Sequence, residues 1–244
     1  MADKKPKLTY LIILICLIVF FIEFFIGVTT EDISEFFKNY GFSLENVQKE
    51  KFWVFFTSIF LHGDSGHLIL NMIALFFFGR IVEIELGWKK FLLIFFVSAL
   101  VGEIGILAST FFGLLSPNIP TIGISAAVFG LMGTAMLVKP FEFVFYPYLI
   151  PIPLVFVAIF YTLYNIAAFL IVTTTDVSSN ISYISHISGL AAGMFFGFRE
   201  EKSKKGFVIL IILLTLLILI PFLWKIYVSI EPFNYLNIIT ELFK

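Results

Sequence analysis

Four polar residues stand inside apolar runs: His67, Asn71, Ser125 and His186. Ser125 lies in the stretch Gly123-Ile124-Ser125-Ala126-Ala127-Val128-Phe129-Gly130-Leu131-Met132-Gly133. Small residues let membrane helices approach closely, and a serine among them commonly bonds across the helix interface. Taken alone, Ser125 needs no more than that packing role. Beside a neutral imidazole it has a second one. The imidazole takes the hydroxyl proton while the oxygen attacks a carbonyl carbon. Donors aimed at the resulting oxyanion then stabilise it. His67, Asn71 and the Ser125 backbone N–H are the candidates for that task. Asn71 follows His67 by four residues, so one helix presents both on the same face. For these two as well, a structural bond to a neighbouring helix is the competing explanation. His62 reads as structural, near a membrane–loop junction, and Asp64 and Asp176 read as solvated loop residues, so no third, acidic member of a triad is expected.

The elements that must hold these residues are membrane spans. The chain has 244 residues, of which 60% are hydrophobic, 33 are Phe and only 14% are charged. Its apolar runs are long enough to cross a bilayer. A net charge of −1 gives no reason to expect a nucleic acid partner. The single cysteine, Cys16, lies in the first apolar run; it excludes an intrachain disulfide and reads as a small packing residue. No metal or cofactor is implied. With no internal repeat or low-complexity linker, the chain reads as one integral membrane domain.

Seven spans are predicted, near residues 11–28, 57–79, 91–113, 123–139, 154–172, 183–198 and 207–228. Around them the sequence divides into a cytosolic tail (1–9), a six-helix core (10–198), a basic linker (199–206), a seventh helix (207–228) and an extracytoplasmic tail (229–244). Residues 29–51 read as a long loop. The basic start and first apolar run lack a small-x-small cleavage site, so they read as an uncleaved anchor. An N-terminus in the cytosol places 11 of the 16 Lys and Arg in cytosolic segments and 5 outside, as the positive-inside rule requires.

Spans two, four and six then run in the same direction and end at Arg80, Lys139 and Arg199. His67, Ser125 and His186 lie 13, 14 and 13 residues before those anchors. At 1.5 Å per residue all three reach about 20 Å above the cytosolic end, roughly 10 Å below the outer surface. The fourth span is too short to cross completely, so residues 114–122 must dip inward, which lipid tolerates only where protein or a wet cavity surrounds the backbone. Ser125 would then sit at a helix N-terminus on the cavity floor, where free N–H groups favour negative charge. His186, Gly189, Gly193 and Gly197 share one helix face, and Ala126, Gly130 and Gly133 form a matching small face on span four.

Over residues 53–198 the sequence resembles the rhomboid intramembrane serine proteases of prokaryotic type. The matching motifs are His62-x4-His67-x3-Asn71, Glu83-x3-Gly87, Gly123-x-Ser125 and His186-x2-Gly189-x3-Gly193. The resemblance implies an all-α fold of six transmembrane helices with an added seventh. It implies a Ser125–His186 dyad without an acid, oxyanion donors from His67, Asn71 and Ser125, and structural support from His62, Glu83, Gly123, Gly189 and Gly193. The fifth span and the loop 173–182 would gate and cap the site. Its substrates would be transmembrane segments of single-pass proteins, and its location the plasma membrane. The family's usual glycine after the serine is replaced by Ala126, and the Trp-Arg pair of the first loop by Trp53-Val54. Two other functions are weighed against this one. A non-catalytic client-binding relative would have lost the serine or the histidine, and a channel or transporter would be expected to show an inverted repeat.

Overall fold

The computed structural model describes residues 5–30, 33–144, 151–174, 182–200 and 204–230. The predicted tails therefore fall partly outside the described residues, as do most of the cap loop 173–182 and residues 201–203 of the basic linker. Helix α1 (Lys7–Thr30) leads into two short helices, α2 (Ile33–Tyr40) and α3 (Leu44–Gln48), where the sequence suggested a loop. Ser43 caps α3 by accepting the Asn46 N–H, and Asn46 in turn donates to the carbonyls of Lys38 and Gly41. This local bonding orders a segment with little apolar surface.

The second span differs from its predicted bounds. The predicted bounds 57–79 run across the polar and glycine stretch His62-Gly63-Asp64-Ser65-Gly66-His67, and the chain breaks there, between α4 (Val54–Phe60) and α5 (Ser65–Ala74). Asp64 makes the new start by accepting the His67 N–H at 2.8 Å, as an N-cap does. The helix continues through a π turn (Leu75–Gly79) into α6 (Arg80–Leu86), and Gly87, at φ +84°, ends it. His67 is thus in the first turn of its span rather than a third of the way along it.

Helix α7 (Trp88–Phe111) leads by an irregular stretch to α8 (Ser125–Val138). A two-residue hairpin, β1 (Phe143–Val144) with β2 (Ile152–Pro153), precedes α9 (Leu154–Thr174). Then come α10 (Tyr183–Glu200) and α11 (Lys204–Ile230). Among the described residues, four spans are long and apolar enough to cross a bilayer: Lys7–Gly27, Ser65–Leu86, Trp88–Phe111 and Leu154–Ile171. Their outward faces carry large apolar side chains such as Phe21, Phe24, Ile104 and Phe160, all more than half exposed, as a lipid solvent requires.

Helix α8 lies at the centre, and every residue from Ser125 to Leu137 is buried. Its 14 residues span about 21 Å, short of the roughly 30 Å of a hydrocarbon core. The connecting stretch before it packs beneath the α2–α3 region. Phe42 and Thr121 exchange backbone bonds, the Glu45 N–H donates to the Pro117 carbonyl, and the Gly123 N–H donates to the Ser58 carbonyl. Protein therefore satisfies this irregular backbone.

Glycine sets the distance between α8 and α10. A Cβ at Gly189 would run into the Ala126 carbonyl, one at Gly193 into the Gly130 carbonyl, and one at Gly197 would press on Thr134. Thr134 Oγ1 also donates to the Gly193 carbonyl at 2.8 Å, so a side chain of α8 is bonded to the backbone of α10. Helix α7 closes the other side, with Gly102 against Ala126 and Ser185.

Candidate active site

The close approach of α8 and α10 brings two side chains 61 residues apart into contact. His186 Nε2 lies 2.7 Å from Ser125 Oγ. The His186 ring stacks on Phe129, one turn along α8 from Ser125, with centroids 4.5 Å apart and planes within 10°. Tyr183 meets the same ring edge-on at 6.3 Å. These two contacts leave the imidazole little freedom to rotate away from the serine.

The other ring nitrogen is also occupied. His186 Nδ1 lies 2.7 Å from Oδ1 of Asn165, a residue of α9 that is 2% exposed. The Asn165 amide nitrogen donates to the Tyr161 carbonyl at 2.8 Å, which fixes which end of the amide is oxygen. An amide oxygen can only accept, so Nδ1 carries the proton and Nε2 presents its lone pair to the serine hydroxyl. Sequence reasoning missed Asn165. A polar residue in the middle of the apolar run 154–174 was the available signal.

Ser125, His186, His67 and Asn71 line one cavity of about 140 Å³, together with Phe129, Tyr161, Tyr164 and Asn165. The Asn71 amide nitrogen is buried and finds no acceptor among the described residues. As the first residue of α8, Ser125 has no carbonyl one turn back for its own N–H. Gly123 lies against His67 at φ +120°, and a Cβ there would stand 2.7 Å from His67 Cε1 and 2.9 Å from Nε2. Only glycine gives both this backbone conformation and room for the imidazole. The cavity thus gathers a hydroxyl, an imidazole and several N–H donors, the groups an acyl transfer would need.

The supporting residues form a second layer of bonds. Glu83 accepts the Leu8 and Thr9 N–H groups and the Thr9 hydroxyl at 2.7–2.9 Å, capping the start of α1 from across the fold. The resemblance implied a structural role for Glu83, and in the structure its bonds go to the start of α1. His62 is 1% exposed, its ring nitrogen Nδ1 bonded to the Phe60 carbonyl and its backbone N–H to the carboxylate of Glu23 on α1. On the other side of the site, Glu103 of α7 accepts the Ser58 hydroxyl at 3.0 Å, and the Ser58 carbonyl accepts the Gly123 N–H. Neither Glu23 nor Glu103 was picked out in the sequence. The first loop is braced without the Trp-Arg pair: Trp53 Nε1 donates to the Asn39 carbonyl, and Val54 is fully buried.

Comparison with known proteins places this arrangement. A family model described as Rhomboid domain matches residues 49–203. RHOMBOID-like protein 12, mitochondrial, of Arabidopsis thaliana is 28% identical over 69% of this chain and 52% of its own length. Rhomboid protease GluP of Bacillus subtilis is 30% identical over 84% of this chain and 37% of its own. Inactive RHOMBOID-like protein 8 of Arabidopsis thaliana is 35% identical over 36% of this chain and 24% of its own. The chain thus spans about half the length of the first of these relatives and little more than a third of the second.

Proposed function

The chain belongs to the rhomboid family, a multi-pass integral membrane protein, and on that premise we propose that it is an intramembrane serine endopeptidase that cuts transmembrane helices of single-pass membrane proteins. The observation that carries this reading is the 2.7 Å contact between His186 Nε2 and Ser125 Oγ on a cavity also lined by His67 and Asn71. In the reaction, His186 Nε2 takes the Ser125 proton as Oγ attacks the scissile carbonyl carbon. The oxyanion is held by the Ser125 N–H, Asn71 and His67. Collapse expels the amine, which takes the proton from Nε2 and leaves an acyl-enzyme on Oγ. Water, deprotonated by the same nitrogen, then releases the acid.

The site is set for a cut near the extracytoplasmic end of the substrate span, in the plasma membrane, with the N-terminus of this chain in the cytosol. A helical substrate hides its carbonyls in i→i−4 bonds, so the scissile stretch must unwind. In lipid each exposed polar group costs several kcal/mol, while the few polar residues on the cavity, among them His67, Asn71 and Ser125, supply partners. Small residues at the cut fit beside Ser125, and Gly or Pro just below it eases unwinding.

Likeness to a relative named as inactive favours a second reading, a binding protein that escorts membrane clients without cutting them. Retention of both Ser125 and His186 favours cleavage. Incubating a model single-pass substrate with wild type and with His186→Ala in proteoliposomes separates the two. The protease reading expects cleavage by wild type alone; intact substrate with both, despite binding, would leave the escort.

A further inference from the structure

We infer that Asn165 is a positioning residue for His186: its side-chain oxygen fixes the imidazole tautomer and ties it to the position of α9. The inference rests on the reading of His186 as the general base. Three observations carry it. The Asn165 oxygen is 2.7 Å from Nδ1. The amide cannot turn over without losing its bond to the Tyr161 carbonyl and setting a donor against Nδ1–H. Asn165 is also only 2% exposed, so both ends of its amide are held by protein partners.

Without this acceptor both neutral tautomers become available to His186. In the one protonated at Nε2, the ring has no lone pair for the Ser125 hydroxyl and cannot act as base. Stacking on Phe129 holds the ring plane but is indifferent to which nitrogen bears the proton. Asn165 supplies the selection. Because the bond runs from α9 to α10, it also makes the base dependent on α9. A displacement of α9 away from α10 lengthens this 2.7 Å hydrogen bond and weakens it.

The test uses the full-length protein in detergent micelles with ¹⁵N-labelled histidine, the His186 resonances being assigned by their loss in His186→Gln. Pyrrole-type and pyridine-type nitrogens have distinct ¹⁵N shifts, so the tautomer is read directly and without any activity. In wild type His186 is expected as the Nδ1–H form. In Asn165→Ala it becomes a mixture with the Nε2–H form, and kcat on a model substrate falls about 10- to 100-fold with KM within twofold, a part of the larger loss that a wrong tautomer causes in serine proteases. Asn165→Asp, which keeps an oxygen acceptor in place, restores the Nδ1–H form. A wild-type His186 protonated at Nε2 would overturn the inference, as would a tautomer unchanged in Asn165→Ala. Failure of the protease reading appears separately, as a wild type that holds the Nδ1–H form yet cleaves nothing.

Discussion

Gly193 and Gly130 face each other across α10 and α8 with no side chain between them, and a Cβ on Gly193 would overlap the Gly130 carbonyl. This contact fixes the spacing of the two helices that carry Ser125 and His186. The 2.7 Å between Oγ and Nε2 depends on it.

Gly193→Ala forces the helices apart or strains the backbone. Overpacking of this kind costs about 1–3 kcal/mol. Thermal unfolding in detergent is expected to show a lowered Tm, and substrate turnover to fall more steeply than the stability loss explains. A variant with wild-type Tm and turnover would mean that α10 shifts freely and that the glycine face does not set the site.

Gly123 makes a different demand. At φ +120° and against the His67 ring, an alanine meets both backbone strain and a clash. Strain in such regions is worth about 1–3 kcal/mol. Gly123→Ala is expected to displace His67 and the start of α8, with a drop in kcat and a modest change in Tm. Unchanged kcat would show that His67 can leave its place without consequence and is no oxyanion donor.

Asn71 carries a buried amide nitrogen with no acceptor among the described residues. A donor of this sort gains its partner as the oxyanion forms. Asn71→Ala is expected to lower kcat by about 10²–10³ while KM stays near wild type, the pattern of an interaction made in the transition state. A raised KM with kcat unchanged would assign Asn71 to packing.

The site was legible in the sequence where its chemistry coincided with helical spacing. The small face of Gly189, Gly193 and Gly197 was readable because residues three and four apart align on a helix, and the structure sets it against Ala126, Gly130 and Thr134. The break at Leu61–Asp64 was marked in the sequence by the stretch His62-Gly63-Asp64-Ser65-Gly66-His67, in which Asp64 caps the new helix, and the predicted span ran across it because apolar residues flank it on both sides. Counting back from Arg80 put His67 level with Ser125 on the assumption of an unbroken α-helix, whereas the π turn Leu75–Gly79 lies within the counted residues. Glu23, Glu103 and Asn165 stood out only as single polar residues in apolar runs, and what each one does was not legible for a shared reason. The partner of each lies 21 to 45 residues away, on another helix or, for Glu23, in the break between α4 and α5. Periodicity carries no signal for a contact of that range.

The proposed orientation rests on the 11-to-5 division of Lys and Arg across the predicted segments. A reporter fused after Lys244 is expected to read as extracytoplasmic, and one inserted at Lys204 as cytosolic. The reverse at both positions would overturn the direction of the spans and, with it, the placing of the cut near the outer surface.

The most direct test of the central claim is covalent trapping of Ser125. A serine hydroxyl with a poised imidazole displaces fluoride from a fluorophosphonate, and an ordinary buried serine does not. Wild type in detergent is expected to take up one phosphonyl group, located by peptide mass spectrometry on Ser125. Ser125→Ala and His186→Ala are expected to take up none. A wild type left unlabelled while correctly folded, or a label retained in His186→Ala at the wild-type rate, would contradict the account.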